Sequence, residues 1–486
     1  MSDSEKHPLL KKLWFAYFSG LLIWMFLTYG HTVKAYAEDK LFAYVQDGMT
    51  YTADFILYYN NGILSWEAWK NKIDIYDAHL QNEYLQKLVP HVKLDKIFYS
   101  QYPPYLFAIM LPLPFLPMKT IWVIWELAGI IGIAFSVYHI LKTTLKGTFT
   151  RAFTYVAVFA SFPGWLCFRL GQVALMLYPA IMFYWISLDQ KKWFRAGLLG
   201  GFCLLKLQYM PIMFLTGVFL GGWRFFAGYT VMGLFYLCLT IGVLGIDNLL
   251  RYPAALKFGE ISGEVTGVSP ESQQNLRGQL VALLHNDGDM VHLIASAVWI
   301  GASLFVGYLW WRESQRRKRE DAVATEGTAS GADGGGSGES QTGGSEQSSA
   351  ATSTPAQGLL TLQRQRFMVL ASATMLIALI SSPHTHKQDY VFMTLPCIWL
   401  IYSVVGNYPL EAPPVKSANK KALLCLRYLL IGFPVLSWIF FISGQILPTT
   451  IIQPFFAWDI AVLVCLYFAS RNLWNENREA SHSRRP

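Results

Sequence analysis

Apolar residues run along this chain in unbroken blocks, without the alternation of a half-buried strand or the three-to-four spacing of a one-faced helix. Trp14 to Tyr29, Ile121 to Leu141, Phe225 to Leu244, Val291 to Trp311, Leu423 to Ile442 and Ile451 to Ser470 are the long ones. Each is near the roughly 20 residues a helix needs to cross a bilayer. The blocks predict an all-α polytopic membrane protein with no independently folding soluble domain. The first block follows Lys11 and Lys12. It is long for a cleaved leader and lacks a small-x-small site, which predicts a retained signal anchor.

Basic residues beside the blocks predict the topology. They gather at Lys6, Lys11 and Lys12, at Lys191, Lys192 and Arg195, at Arg312 with Arg316, Arg317, Lys318 and Arg319, and at Arg471, Arg478, Arg484 and Arg485. The positive-inside rule places these segments in the cytoplasm. The expected organisation is a cytoplasmic N-terminus (1–12), a membrane bundle (13–311) with outer loops at 33–102 and 246–289, a cytoplasmic linker (312–365), further spans (366–470) and a basic cytoplasmic tail (471–486). From about Glu320 to Gly358 the linker is rich in Gly, Ser, Thr and Ala, a composition that predicts disorder. Roughly eleven to thirteen membrane segments are expected by length.

Some segments are too short to span. Pro104 to Pro117 reads as a partial insertion. Residues 152–168 and 173–188 form a hairpin whose turn is Arg169-Leu-Gly-Gln172. Residues 196–222, basic at both ends, should dip outward and return with Lys206-Leu-Gln208 at the apex. Broken helices of this kind are tolerated where they line a cavity inside the protein.

Composition narrows the function classes. Charged residues are 14% and hydrophobic ones 53%, whereas soluble domains carry about 25% charged residues. The net charge of +8 is spread beside the spans, so no nucleic-acid partner is implied. All six cysteines lie in apolar segments without a CxxC pair, which supports neither a disulfide framework nor a zinc site. No metal and no cofactor are expected.

Five polar groups fall on the outer side: Asp54, the Gly171-Gln172 turn, Lys206-Leu-Gln208, Asn275-Leu-Arg277-Gly-Gln279 and His384-Thr-His386-Lys387-Gln-Asp389. Charge at membrane depth is costly and usually faces a wet cavity, so convergence on one outer-leaflet cavity is expected. Each group has a plainer reading. Asp54 suits a helix cap, Lys206 could snorkel, and Gly171-Gln172 alone suits a turn. His384 and His386 are two residues apart in a Pro-containing loop, a poor arrangement for a metal pair. Asp287-Gly-Asp289 is a literal DxD, and before a span it reads better as a turn and cap.

The order and spacing of Asp54-Phe-Ile-Leu-Tyr58-Tyr59, Ile75-Tyr-Asp77, Tyr102-Pro-Pro104, Gly171-Gln172 and Leu205-Lys-Leu-Gln208 with Pro211 resemble a known family. These are the bacterial polyprenol-phosphate-sugar-dependent transferases of glycosyltransferase family 87, within the GT-C superfamily. The resemblance covers roughly residues 10–310 and, more weakly, 366–470. It implies a multi-helix transmembrane bundle and inverting transfer, in which a carboxylate deprotonates the acceptor while phosphate leaves from the opposite face. It also implies a polyprenyl-phosphate sugar as donor, with mannose as the default, a glycolipid or glycan acceptor, and an active site on the outer face of a bacterial plasma membrane. In this reading Asp54 is the base. Lys206, Arg277, His384, His386 and Lys387 are the candidates for holding donor phosphate. Tyr58, Tyr59, Tyr102, Gln172, Gln208 and Asn275 are candidates for substrate contact.

The late loop, Pro383-His-Thr-His-Lys-Gln-Asp389, departs from the Trp-His-His form of many relatives, and Asn275-Leu-Arg-Gly departs from an Asn-Gln-Ser form. A transporter or flippase of a lipid-linked sugar is the main rival. It would need polar residues reachable from both sides, and no internal repeat supports it. A membrane scaffold has no use for Lys206 between apolar arms.

Overall fold

The computed structural model describes residues 8–38, 53–90, 98–144, 148–261, 273–332, 355–400, 419–446 and 453–474. The chain is all-α, with no strand among the described residues. In order, the helices are α1 (Pro8–Ala37), α2 (Ala53–Asn71), α3 (Ala78–Leu88), α4 (Pro104–Met110), α5 (Met118–Thr144), α6 (Thr148–Ala160), α7 (Phe162–Leu170), α8 (Ala174–Asp189) and α9 (Trp193–Gly200). They continue with α10 (Met210–Leu244), α11 (Ile246–Ile261), α12 (Leu276–Leu284), α13 (Asp289–Ala332), α14 (Pro355–Ser381), α15 (Thr394–Leu400), α16 (Lys420–Ile446) and α17 (Pro454–Ser470). Tight 3₁₀ stretches at Gly201–Tyr209 and Lys387–Met393 interrupt the set.

Six helices among the described residues are long and apolar enough to cross a membrane, or seven if α6 and α7, bent by 56° at Ser161, count as one. Pro104–Phe115, Ala174–Asp189 and Pro454–Ser470 are shorter apolar pieces. Large exposed side chains such as Phe15, Ile131, Leu234, Leu293, Val464 and Tyr467 cover the outside of these helices, as lipid requires. Inside, Trp185, Trp310, Phe367 and Trp399 interlock, with centroids 5.4 to 6.3 Å apart. They join α8, α13, α14 and α15 in the largest core.

The segment expected to dip outward folds as two short arms. From α9 the chain passes through the 3₁₀ stretch and returns along the first part of α10. At Gly222 the backbone leaves the helix, with φ 55° and ψ −140°. Beyond that point the second part of α10 lies beside the first, and Phe214 packs on Tyr229 at 4.9 Å. A side chain cannot take this conformation without strain.

At the far end of α13 a buried ion cluster joins α13 to α14. Arg366, fully buried, pairs with Glu320 at 2.6 Å and lies 3.7 Å from Glu313, which also accepts from Arg317 at 3.0 Å. The expected linker is therefore helical up to Ala332 and again from Pro355. Residues 333–354 lie outside the described residues, as do 401–418 of the C-terminal segment and the tail from 475.

A Cβ at Gly222 or at Gly233 meets no atom within 4 Å, and only Gly222 has a positive φ. Gly222→Ala should lower stability by roughly 1–3 kcal/mol. Gly233→Ala should be neutral or stabilising by about 0.5–1 kcal/mol. Thermal unfolding midpoints of both purified variants in one detergent check the contrast.

Candidate active site

Asp54 stands in the first turn of α2 and is partly buried. Behind it, α7 ends at Gly171, which is left-handed (φ 66°) so that its N–H can reach the carbonyls of Cys167 and Phe168. Phe55 would collide with any Cβ there, at 2.5 Å. This turn aims Gln172 at Asp54, whose carboxylate accepts from Gln172 Nε2. The Tyr58 hydroxyl donates to Gln172 Oε1 at 3.4 Å and pairs with the Tyr102 hydroxyl at 2.9 Å.

Lys206 sits in the 3₁₀ break with an extended backbone, φ −133° and ψ 84°. Its Nζ pairs with Asp389 Oδ1; Lys206 is 7% exposed and Asp389 not at all. The second oxygen of Asp389 accepts from the His386 backbone N–H at 3.1 Å, which ties the late loop to its own counter-ion. Gln208 Nε2 donates to the His384 carbonyl at 3.0 Å, and Trp299 Nε1 donates to the Gln208 carbonyl at 2.9 Å. His384 Nδ1 lies 3.2 Å from Gln273 Nε2. Arg277 forks onto Asp287, with Nε to Oδ1 at 3.2 Å and an amino group to Oδ2 at 2.8 Å, and His292 lies 3.4 Å from that amino group.

These groups surround one cavity of about 480 Å³, a size suited to a small ligand. Asp54, Tyr102, Gln172, Lys206, Gln208, Arg277, His384 and His386 all line it. The other candidates stand elsewhere. Tyr58 is fully buried behind the Asp54 turn, and Tyr59 donates to the Leu116 carbonyl at 3.0 Å. Asn275 is the N-cap of α12, accepting from the Gly278 N–H at 2.8 Å and donating to the Ser382 carbonyl. Lys387 turns its ammonium to the Phe441 ring, 5.7 Å away. Among the described residues, no three His, Cys, Asp or Glu side chains are grouped as a metal site needs.

Sequence reasoning counted Asp389 in the late polar group but gave it no role, read Asp287 as a turn and cap, and did not single out His292 or Gln101. Asp389, Gln101 and His292 line the cavity, and Asp287 holds Arg277. The signal for Asp389 was an acid in the same apolar-flanked loop as the two histidines. The signal for Asp287 was the DxD itself.

Burial raises the Asp54 carboxyl from its ordinary value to about 6, against the pull of Lys206 and the Gln172 hydrogen bond, with Asp389 adding to the rise. Burial pushes His386 down to about 4, although Asp389 opposes this, so its imidazole is neutral near pH 7. Asp54 can thus take up a proton near neutrality, beside a fixed cation.

A multi-pass helical bundle holding this carboxylate-and-cation cavity is consistent with a GT-C type glycosyltransferase. The model of glycosyltransferase family 87 matches residues 99–329 of the chain. No curated protein and no solved structure matches the chain.

Removing Asp389 alone strands a buried ammonium. Asp389→Leu should cost about 3–5 kcal/mol, and the paired change Lys206→Met with Asp389→Leu should recover most of it. A double-mutant cycle on detergent unfolding midpoints measures the coupling, and additive losses would mean that the pair does not form.

Proposed function

We propose that the protein is an inverting glycosyltransferase that moves a sugar from a polyprenyl-phosphate donor to a hydroxyl of a lipid or glycan acceptor. The family match over residues 99–329 supports glycosyl transfer in general. The observation that carries the finer reading is Asp54, a carboxylate raised to about 6 beside the Lys206 ammonium at a cavity wall.

In this mechanism Asp54 takes the proton of the acceptor hydroxyl as its oxygen bonds to the anomeric carbon of the donor. The bond from that carbon to the phosphate oxygen breaks, and its electron pair leaves with polyprenyl phosphate. The extra negative charge on the leaving group is met by Lys206 and Arg277, with His386 and His384 as hydrogen-bonding partners. Gln172 holds the Asp54 carboxylate in place. The basic segments beside the spans favour a cavity at the outer face of the plasma membrane, where a polyprenyl tail stays in the bilayer while its head group enters. Mannose is the sugar to try first, on the family resemblance alone.

The test is transfer of radiolabelled mannose from polyprenyl-phosphate mannose to a membrane lipid extract by the purified protein. Asp54→Asn should lower the rate roughly 10²–10⁴-fold with an unchanged unfolding midpoint. Full activity in that variant would remove Asp54 from the role. Silence with every polyprenyl-phosphate sugar tried would remove the donor class.

The pH profile gives a second check. A base must be ionised in the free enzyme, so kcat/KM should rise with pH through an acid limb near 6. The Gln172 bond favours the charged form, so Gln172→Leu should move that limb to higher pH. A limb that stays in place would separate Gln172 from the titrating group.

A further inference from the structure

Asp459, near the start of α17, is a fully buried acid that the mechanism above does not use. Its Oδ2 lies 2.7 Å from the Tyr390 hydroxyl, and that hydroxyl lies 2.9 Å from the Gln274 carbonyl oxygen. Its Oδ1 has no hydrogen-bond partner among the described residues. Tyr390, Tyr209 and Cys397 interact with it electrostatically, and none of them brings a positive charge.

These contacts fix where the protons are. A phenol has one O–H to give, and a carbonyl can only accept. The Tyr390 proton therefore points to the Gln274 carbonyl, and the contact to Asp459 needs a proton from the carboxyl side. An ionised Asp459 would draw the Tyr390 proton to itself and leave two bare oxygens facing each other at 2.9 Å. It would also bury a charged oxygen, Oδ1, without a donor, which costs far more than burying a neutral acid. The arrangement is a relay in which Asp459 donates to Tyr390 and Tyr390 donates to Gln274.

Three distant segments meet at this relay. The Gln274 N–H donates to the Thr385 carbonyl at 2.8 Å, and Gln274 Oε1 accepts from the Phe455 N–H at 3.4 Å. Gln279 Oε1 accepts from the Gln453 N–H at 2.8 Å. Arg277 lies between Gln274 and Gln279 in the chain, and Tyr390 directly follows Asp389, the partner of Lys206. The knot thus sits behind both cations of the cavity.

We propose that Asp459 is a positioning residue, a permanently protonated acid that holds the Arg277 segment and the late loop in register for the donor phosphate. Its part in donor binding rests on the transferase reading above, whereas its proton does not. Neutrality serves the site. Tyr209 interacts with both Asp389 and Asp459, so a negative charge at Asp459 would lie near the Lys206 pair and weaken its pull on an anionic donor. A carboxylic acid supplies the O–H without that charge.

Full-length protein in nanodiscs carries the test. Infrared difference spectra of wild type against Asp459→Asn should show the loss of a carboxylic-acid C=O band, in mild acid and mild alkali alike. Tyr390→Phe should move that band to higher frequency without removing it, because the acid then loses its acceptor. In the mannose transfer assay, Asp459→Leu and Tyr390→Phe should each raise half-saturation by the donor about tenfold, as expected for one lost hydrogen bond. Half-saturation by the acceptor should stay the same, and Asp459→Asn, whose amide can still donate to Tyr390, should restore the donor value. Loss of a carboxylate band in place of the acid band, or an acid band that disappears in mild alkali, overturns the protonated state. Unchanged donor half-saturation in both the Leu and the Phe variant overturns the positioning role. If no donor supports transfer, saturation-transfer NMR with monoethyl phosphate decides: a signal lost in Asp459→Leu and kept in Asp459→Asn sustains the role while the transferase reading falls. A wild type without that signal, or a Leu variant that matches it, overturns the role.

Discussion

An ammonium inside an apolar bundle is too costly to keep without a partner, and much of this site follows from how Lys206 meets that requirement. Its partner, Asp389, lies 183 residues further on. To bring the two together, the inserted arm must break at Gly201–Tyr209 and the late loop must close over it. That closure sets His384 against Gln208 and His386 beside Asp389. It also leaves the Lys206 charge close enough to Asp54 to restrain the rise of its carboxyl. One ion pair thus fixes the relative positions of three segments that are distant in sequence.

The family match sharpens this division of labour. Residues 99–329 contribute Gln172, Lys206 and Arg277 to the cavity. Both carboxylates that line it, Asp54 and Asp389, come from outside that stretch. The matched region therefore holds Lys206, Arg277 and all the lining amides but Gln388, and the flanking regions supply the acids, so neither part holds the full constellation alone.

How much of this could be read from the chain depended on contrast. Lys206, Gln208, Gln172 and Asp54 stand out because each interrupts an apolar run, and a bilayer makes such interruptions informative. Gly222 was legible only as the boundary of a basic-flanked block, since a positive φ has no signature apart from the glycine itself. Asn275 stands outside the cavity lining for a local reason. A side chain that caps α12 is spent on the Gly278 N–H and the Ser382 carbonyl, and polarity alone does not separate that use from contact with a ligand. The pairing of Asp389 with Lys206 and of Asp287 with Arg277 lies in tertiary geometry, which spacing does not encode.

The ion cluster at the end of α13 has a consequence for how the gene can change. His292 at the cavity and Glu313 in the cluster are 21 positions apart on one helix, about 30 Å at helical rise. At that distance Arg366, Glu313, Glu320 and Arg317 hold α13 and α14 together by side chains alone. The covalent connection through 333–354 is then not what keeps the two helices in register. Closing a loop costs only about 0.6 kcal/mol more for each doubling of its length, so insertions, deletions and repeat expansion there meet little thermodynamic resistance. Sequence drift in that stretch is insulated from the chemistry at the other end of the bundle.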